Sequence, residues 1–164
     1  MNIQLKEVTV REITENYSET KEGAVFGYNG KLNIRPAYQR EFVYKDKQRN
    51  AVIDTVFRNF PLNTMYWSKN EDGTYEVLDG QQRTISICQY VTNVFSTVHE
   101  KKNKKFMNLT NDIKERILSY KLMIYVCEGT ESEKLDWFRI INIAGEKLTE
   151  QELRNAVYTG TWLS

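Results

Sequence analysis

The sequence predicts an α+β fold, in which a small, mixed or mostly antiparallel sheet packs against several helices. Short apolar stretches flank turn signals at Asn29-Gly30 and Asp72-Gly73, a pattern typical of β-hairpins. In other segments apolar residues recur at spacings of three and four, which is typical of helices. Short strands mixed with separate helices indicate the α+β class. The 164 residues suffice for one domain with a sizeable core, so we expect a single domain over 1–164.

The elements follow one another along the chain with short connections. The predicted elements are a hairpin at 24–34, a helix at 45–59, strands at 63–68 and 74–79, a helix at 81–98, a basic loop at 99–110, a short helix at 111–118, a strand at 121–127 and helices at 132–143 and 149–158. Pro61 ends the first helix, because proline cannot continue the hydrogen-bond pattern. Gly145 is a suitable cap for the helix at 132–143. Thr149 and Glu152 have the spacing of a capping box, which begins the last helix.

Composition excludes several classes of function. The 23 basic and 22 acidic residues leave a net charge of +1, so any contact with nucleic acid requires a local patch. Cys88, Cys127 and His99 are too few soft ligands for a structural zinc site, and a catalytic Ser-His-Asp triad is disfavoured. No signal peptide and no apolar run near 20 residues is present. We therefore expect a cytoplasmic protein that does not contact a membrane.

The most informative place in the sequence is the junction between the strand at 74–79 and the helix that follows it. It reads DGQQRT, which is Asp79, Gly80, Gln81, Gln82, Arg83 and Thr84. A helix N-terminus presents unpaired backbone N–H groups and a partial positive charge, which suits a phosphate. Gly80 lets an anion approach the backbone, and Arg83 supplies a forked contact to phosphate oxygens. Gln81, Gln82 and Thr84 complete the predicted phosphate-binding set.

Asp79 has a separate predicted role, because a carboxylate here can hold a hydrated Mg²⁺ or orient a water molecule. We assign catalysis to Asp79, Gln82 and Arg83. The alternative interpretation is structural. In it Asp79 is a helix cap, Gly80 a turn residue and Arg83 a surface cation.

A second segment repeats this chemistry. Tyr38, Gln39 and Arg40 lie between a predicted strand and the first long helix, and a second guanidinium would help to neutralise a phosphoryl group. Arg40 has the alternative of pairing with Glu41. Asn142 lies on the apolar side of its helix, where it either bonds to the turn at Gly145 or lines the same pocket as the two arginines.

Four segments resemble, in this order, the family known as domain of unknown function 262. They are IRPAYQREFVYKDKQ, VFRNFPL, YEVLDGQQRTISI and WFRIINIAGEKLTEQELRNAVYTG, which cover about residues 31–160. The DGQQR and YQR motifs of that family match without substitution. Ile143 and Ala144 depart from its Asn-Thr-Gly-Gly-like segment at 142–145, and Tyr44 stands where tryptophan is common.

The resemblance implies a fold similar to ParB and sulfiredoxin, and a place as the N-terminal half of modification-dependent restriction and anti-phage defence proteins. In that family the domain hydrolyses or senses nucleotides, commonly ahead of an HNH nuclease domain. No HNH segment lies within the 164 residues, so we expect a missing or separate C-terminal effector. A homodimer is among the expected assemblies. Sulfiredoxin chemistry is disfavoured, because Gln81 and Gln82 stand in place of its cysteine.

These observations favour a Mg²⁺-dependent nucleoside triphosphatase that regulates or powers DNA restriction. One alternative is a module that senses a nucleotide or modified DNA without hydrolysis, and another is a domain that nicks DNA. The lysines at 101, 102, 104 and 105 are either a contact for nucleic acid or a solvated loop.

Overall fold

The computed structural model describes residues 1–37 and 44–144, with only the backbone described at 141–144. Its contacts divide the chain into two units, Met1–Gly129 and Thr130–Ser164, and each is described separately below. Among the described residues, no helix combines the length and apolar character needed to span a bilayer.

The first unit contains all the described strands and four helices. The strands are β1 (Asn2–Thr9), β2 (Ser18–Glu19), β3 (Val25–Gly27), β4 (Leu32–Arg35), β5 (Met65–Lys69), β6 (Tyr75–Asp79), β7 (Thr97–His99), β8 (Lys102–Lys104) and β9 (Lys121–Glu128). The helices are α1 (Val10–Thr14), α2 (Asp46–Phe57), α3 (Gln81–Val91) and α4 (Asn111–Leu118), with a short 3₁₀ turn at Phe106–Asn108. The α+β class predicted from the sequence is confirmed.

Seven strands form one mixed sheet in the order β1-β9-β5-β6-β4-β3-β2. The pairs β9 with β5 and β4 with β6 are parallel, while the other four neighbouring pairs are antiparallel. Strands β7 and β8 form a separate two-stranded hairpin. Both predicted hairpin turns are present, since Asn29, Gly30 and Gly73 have the positive φ angles that such turns require.

The core lies between the sheet and the helices of the first unit. Along β9 the buried residues alternate, with Leu122, Ile124 and Val126 in the core, as expected for a strand with one covered face. Trp67 of β5 is fully buried, and its ring contacts that of Tyr75 with centroids 5.4 Å apart. Most residues of helix α3 are buried, so its sequence shows little difference between an apolar face and a polar face.

Two predicted boundaries differ from the structure. The helix predicted at 81–98 ends at Val91, and Asn93 adopts a positive φ of 67° that a helix cannot continue through. The segment beyond turns back as β7, and the predicted basic loop contains β8. The apolar residues Val94 and Val98, which extended the helical spacing in the sequence, are both exposed.

The second unit contributes one described helix, α5 (Glu131–Ala144), as the spacing predicts. Thr130 begins it with a capping box: its hydroxyl accepts from the Glu133 N–H at 3.2 Å, and the Glu133 carboxylate accepts from the Thr130 N–H at 3.0 Å. Leu135, which the spacing places on the apolar face, is 67% exposed. The helix predicted at 149–158 lies outside the described residues.

Candidate phosphate-binding edge

The DGQQRT junction and the end of β4 lie at one edge of the sheet because of strand direction. Strands β4 and β6 are parallel neighbours, with Leu32 opposite Tyr75 and Asn33 opposite Glu76. The carboxyl ends of parallel strands lie at the same edge, so the chain that follows β4 leaves the sheet beside Asp79. Ligands of α/β proteins commonly bind at such an edge. The fold therefore positions the carboxyl end of β4, at Arg35, close to the DGQQRT junction.

The described chain resumes at Tyr44, in contact with this junction. The backbone N–H of Tyr44 donates to Oε1 of Gln82 at 3.3 Å. Residues Tyr38, Gln39 and Arg40 of the second motif lie outside the described residues. The backbone of Asn142 belongs to α5, and its side chain lies outside the description.

Gly80 makes the turn from β6 into α3. Its φ is +107° and its ψ is 14°, a left-handed backbone conformation that residues other than glycine rarely adopt. A Cβ atom here would lie 2.7 Å from both Cγ and Sδ of Met65, a residue that is itself buried. Glycine is thus required by the turn and by the close approach of β5.

The N-terminus of α3 presents its backbone donors at this edge. The first bond within the helix runs from the Thr84 N–H to the Gly80 carbonyl at 3.0 Å. The preceding N–H groups, those of Gln81, Gln82 and Arg83, have no acceptor among the residues that the structure describes. They are the unpaired donors that a helix N-terminus offers to an anion.

Arg83 lies in the interior of the junction. Arg83 is only 8% exposed. Its Nη1 donates to the Asn63 carbonyl, and its Nη2 lies 3.3 Å from Oδ2 of Asp79. The Asp79 side chain is 51% exposed, so one partner of this ion pair is buried and the other reaches solvent. The guanidinium therefore ties α3 both to the end of β6 and to the residues before β5.

Thr84 is fully buried, and its hydroxyl donates to the Gly80 carbonyl at 2.8 Å. The structure thus gives this predicted phosphate ligand a local role in closing the first turn of the helix. Gln81 and Gln82 are half-buried. Asp79, Gln81 and Gln82 are the members of the motif whose side chains reach solvent at least in part.

A family model matches most of the chain. The model of the GmrSD restriction endonuclease N-terminal domain matches residues 24–159. The chain belongs to this family. No curated protein and no solved structure matched the chain. The prediction of an N-terminal domain of restriction proteins is confirmed, while the likeness to ParB and the closer family defined by DGQQR stay predictions.

For this member of the GmrSD N-terminal family, the metal ligands available at the edge are few. Within residues 1–37 and 44–144, no three His, Cys, Asp or Glu side chains lie close enough together to hold a metal ion. Asp79 is a half-exposed carboxylate at the candidate site. One carboxylate fits Mg²⁺ when water and the phosphates of a ligand supply the remaining oxygens, which is the usual mode for this ion.

A cleft of about 560 Å³ adjoins the edge, and the sequence did not reveal it. Asn63 and Met65 line the cleft and also contact Arg83 and Gly80, respectively. Its wall at 59–63 is held by Tyr120, whose hydroxyl donates to the Phe60 carbonyl at 2.5 Å and accepts from the Leu62 N–H at 3.1 Å. No local signal could have found this wall, because Tyr120 is about 60 positions away from Phe60 and Leu62 in the chain.

Proposed function

We propose that the edge at Asp79–Thr84, beside the end of β4, binds a nucleoside triphosphate with Mg²⁺ and hydrolyses it, and that this step regulates or powers DNA restriction. The observation that carries the proposal is the parallel pairing of β4 with β6, which brings the end of β4 to the edge where the DGQQRT junction begins. Membership in the GmrSD N-terminal family supports the link to restriction.

The chemistry divides between backbone and side chains. The free N–H groups of the first turn of α3 hold the phosphates, and the buried Arg83 adds positive charge behind them. Asp79 orients the attacking water and takes part in holding Mg²⁺, which supplies charge neutralisation when bound. Water attacks the terminal phosphorus, the bond to the bridging oxygen breaks, and a nucleoside diphosphate and inorganic phosphate leave.

The test is phosphate release from a panel of nucleoside triphosphates with Mg²⁺, together with calorimetric binding, for the unmodified chain and Asp79→Asn. The substitution keeps the shape of the side chain and removes its charge. We expect turnover to fall about a hundredfold, because the water loses its orienting carboxylate, and affinity for the nucleotide with Mg²⁺ to fall by a smaller factor, because the ion loses one ligand. Arg83→Lys is preferable to Arg83→Ala, since the buried guanidinium bridges two parts of the fold.

Glu76→Gln is the matched control, because Glu76 is an exposed carboxylate on the same strand, three residues before Asp79. Equal loss of turnover in both variants would contradict the assignment of Asp79. Nucleotide binding without any phosphate release would instead support the sensor alternative. If the unmodified chain neither binds nor hydrolyses nucleotides but nicks a plasmid, the nuclease alternative is favoured.

A further inference from the structure

A surface distinct from the motif edge carries a dense group of positive charges. The six residues from Glu100 to Lys105 include four lysines and one glutamate, a net charge of +3, whereas the whole chain carries only +1. The rest of the chain is therefore net negative. Lys101, Lys102 and Lys105 are exposed. The chain thus attracts polyanions at this surface and not over its whole extent.

The structure shows that this surface is an anchored hairpin, β7–β8. The ring of His99 stacks on Phe57 of α2, with centroids 4.8 Å apart and planes at 14°. The hydroxyl of Tyr90 in α3 donates to the Lys104 carbonyl at 3.4 Å, and Thr97 is buried. An element held in this way loses little conformational entropy when a partner binds.

The two faces of the hairpin differ. In the register Thr97 pairs with Lys104 and His99 with Lys102, so these residues share the face that contacts Phe57. Val98 and Asn103 pair with each other and occupy the opposite face. Val98 is 69% exposed, so its apolar side chain takes no part in the core and is accessible to a partner.

The tip of the hairpin is a tight turn of two residues. Glu100 and Lys101 have φ angles of 51° and 68°, the left-handed conformation that the favoured two-residue hairpin turns need. The result is a narrow two-stranded ribbon with Val98 and Asn103 in the middle of one face and lysines at the tip and the base.

We propose that this hairpin is a contact surface for duplex DNA, inserted as a ribbon in the major groove. That groove admits a two-stranded β-ribbon, an asparagine amide matches the adenine edge, and an apolar side chain suits the thymine methyl group. Asn103 and Val98 supply these two groups, and Lys101, Lys102 and Lys105 contact the flanking phosphates. The proposal rests on the proposed role in DNA restriction and is independent of nucleotide hydrolysis.

The test compares two triple variants of the full chain that change the net charge equally. One removes the exposed hairpin lysines (Lys101→Ala, Lys102→Ala, Lys105→Ala), and the control removes three exposed lysines elsewhere (Lys21→Ala, Lys31→Ala, Lys47→Ala). Fluorescence anisotropy with a labelled duplex of about 20 base pairs, without nucleotide, gives the affinity at several salt concentrations. Melting temperatures establish that both variants are folded.

In a plot of log affinity against log salt concentration, we expect the slope of the hairpin variant to be shallower than that of the unmodified chain by about 2.7. Each of the three lost phosphate contacts accounts for about 0.9 of this difference. When the salt concentration rises from 50 to 200 mM, the affinity of the hairpin variant for DNA should therefore fall by a factor about 40 times smaller than the affinity of the unmodified chain. The control should keep the parental slope, and both variants should keep nucleotide binding. Asp79→Asn should lose nucleotide turnover and keep its affinity for DNA. This result distinguishes a failure of the hydrolysis proposal from a failure of the DNA-contact proposal.

A second measurement does not depend on a variant. Acetylation of lysines in the unmodified chain, read by mass spectrometry, should show protection of Lys101, Lys102 and Lys105 by duplex DNA and none of Lys21 or Lys31. Equal losses in both triple variants, absence of DNA binding by the unmodified chain, or tighter binding to an RNA duplex of the same sequence would each overturn the proposal.

Discussion

Replacing Gly80 by alanine should destabilise the fold through two separable effects. The first is backbone strain, because φ at this position is +107° and a residue with a Cβ pays about 1–2 kcal/mol for the left-handed region. The second is a steric clash, because the added Cβ would lie 2.7 Å from Cγ and Sδ of Met65 and 3.0 Å from its Cβ. Met65 is buried and cannot move aside freely, and overpacking of this kind costs about 1–3 kcal/mol.

Gly73 offers a matched control for the first effect. Its φ is +86°, and a Cβ there would meet nothing within 4 Å. Gly73→Ala should therefore show the backbone strain alone, about 1–2 kcal/mol, whereas Gly80→Ala should reduce the free energy of unfolding by about 2–5 kcal/mol. Both substitutions reduce the entropy of the unfolded chain equally, so that effect cancels in the difference between them.

Urea denaturation followed by circular dichroism gives the three free energies of unfolding. In the double variant with Met65→Ala, the additional cost of Gly80→Ala should shrink towards that of Gly73→Ala, because the two contacts at 2.7 Å, with Cγ and Sδ, have been removed and only the Cβ at 3.0 Å remains. If Gly80→Ala costs no more than Gly73→Ala in the presence of Met65, the close approach of β5 to the turn is not what constrains this glycine.

The remaining predictions concern buried hydroxyl and thiol groups. Tyr120→Phe should lower the free energy of unfolding by about 1–3 kcal/mol, since the Phe60 carbonyl and the Leu62 N–H both lose their partner. Tyr125→Phe is the control. Equal effects of the two substitutions in urea denaturation would count against the prediction. Burial raises the pKa values of Cys88, Tyr90 and Tyr120, so the folded chain retains protons that the unfolded chain releases. Their contribution to stability is intact below about pH 8 and is lost as the pH rises above about 8.5 for the thiol and about 10 for the phenols. Urea titrations from pH 7 to 11 should show this decline, with its onset delayed in Cys88→Ala; a flat profile would contradict it.

Local pattern was sufficient to predict most elements of the fold. The turns at Asn29-Gly30 and Asp72-Gly73 were predictable because only a few residues tolerate positive φ angles, and these pairs contain them. Helix α2 and strand β9 were predictable because each has a covered face, so apolar residues recur with the period of the element. The first strand was missed, since its exposed edge position leaves Ile3 and Leu5 outside the core and blurs the alternation.

The end of α3 was misplaced for a related reason. Apolar residues at 91, 94 and 98 continue the helical spacing, but the chain turns at Asn93 and forms β7 instead. The hairpin gains the stacking of His99 on Phe57 and the contact of Tyr90 with Lys104, which are made between distant residues. Tertiary contacts of this kind override local propensity, and a single sequence does not record them.

The sequence by itself determined the α+β class, most of the elements and the chemical character of the DGQQRT junction, because each depends on residues close together along the chain. Only the tertiary structure decided that β4 and β6 run parallel, that Arg83 is buried between Asp79 and the Asn63 carbonyl, and that the lysine-rich segment is an anchored hairpin. These features depend on strand order and on burial. Both arise from contacts between residues far apart in the chain, which periodicity and spacing do not encode.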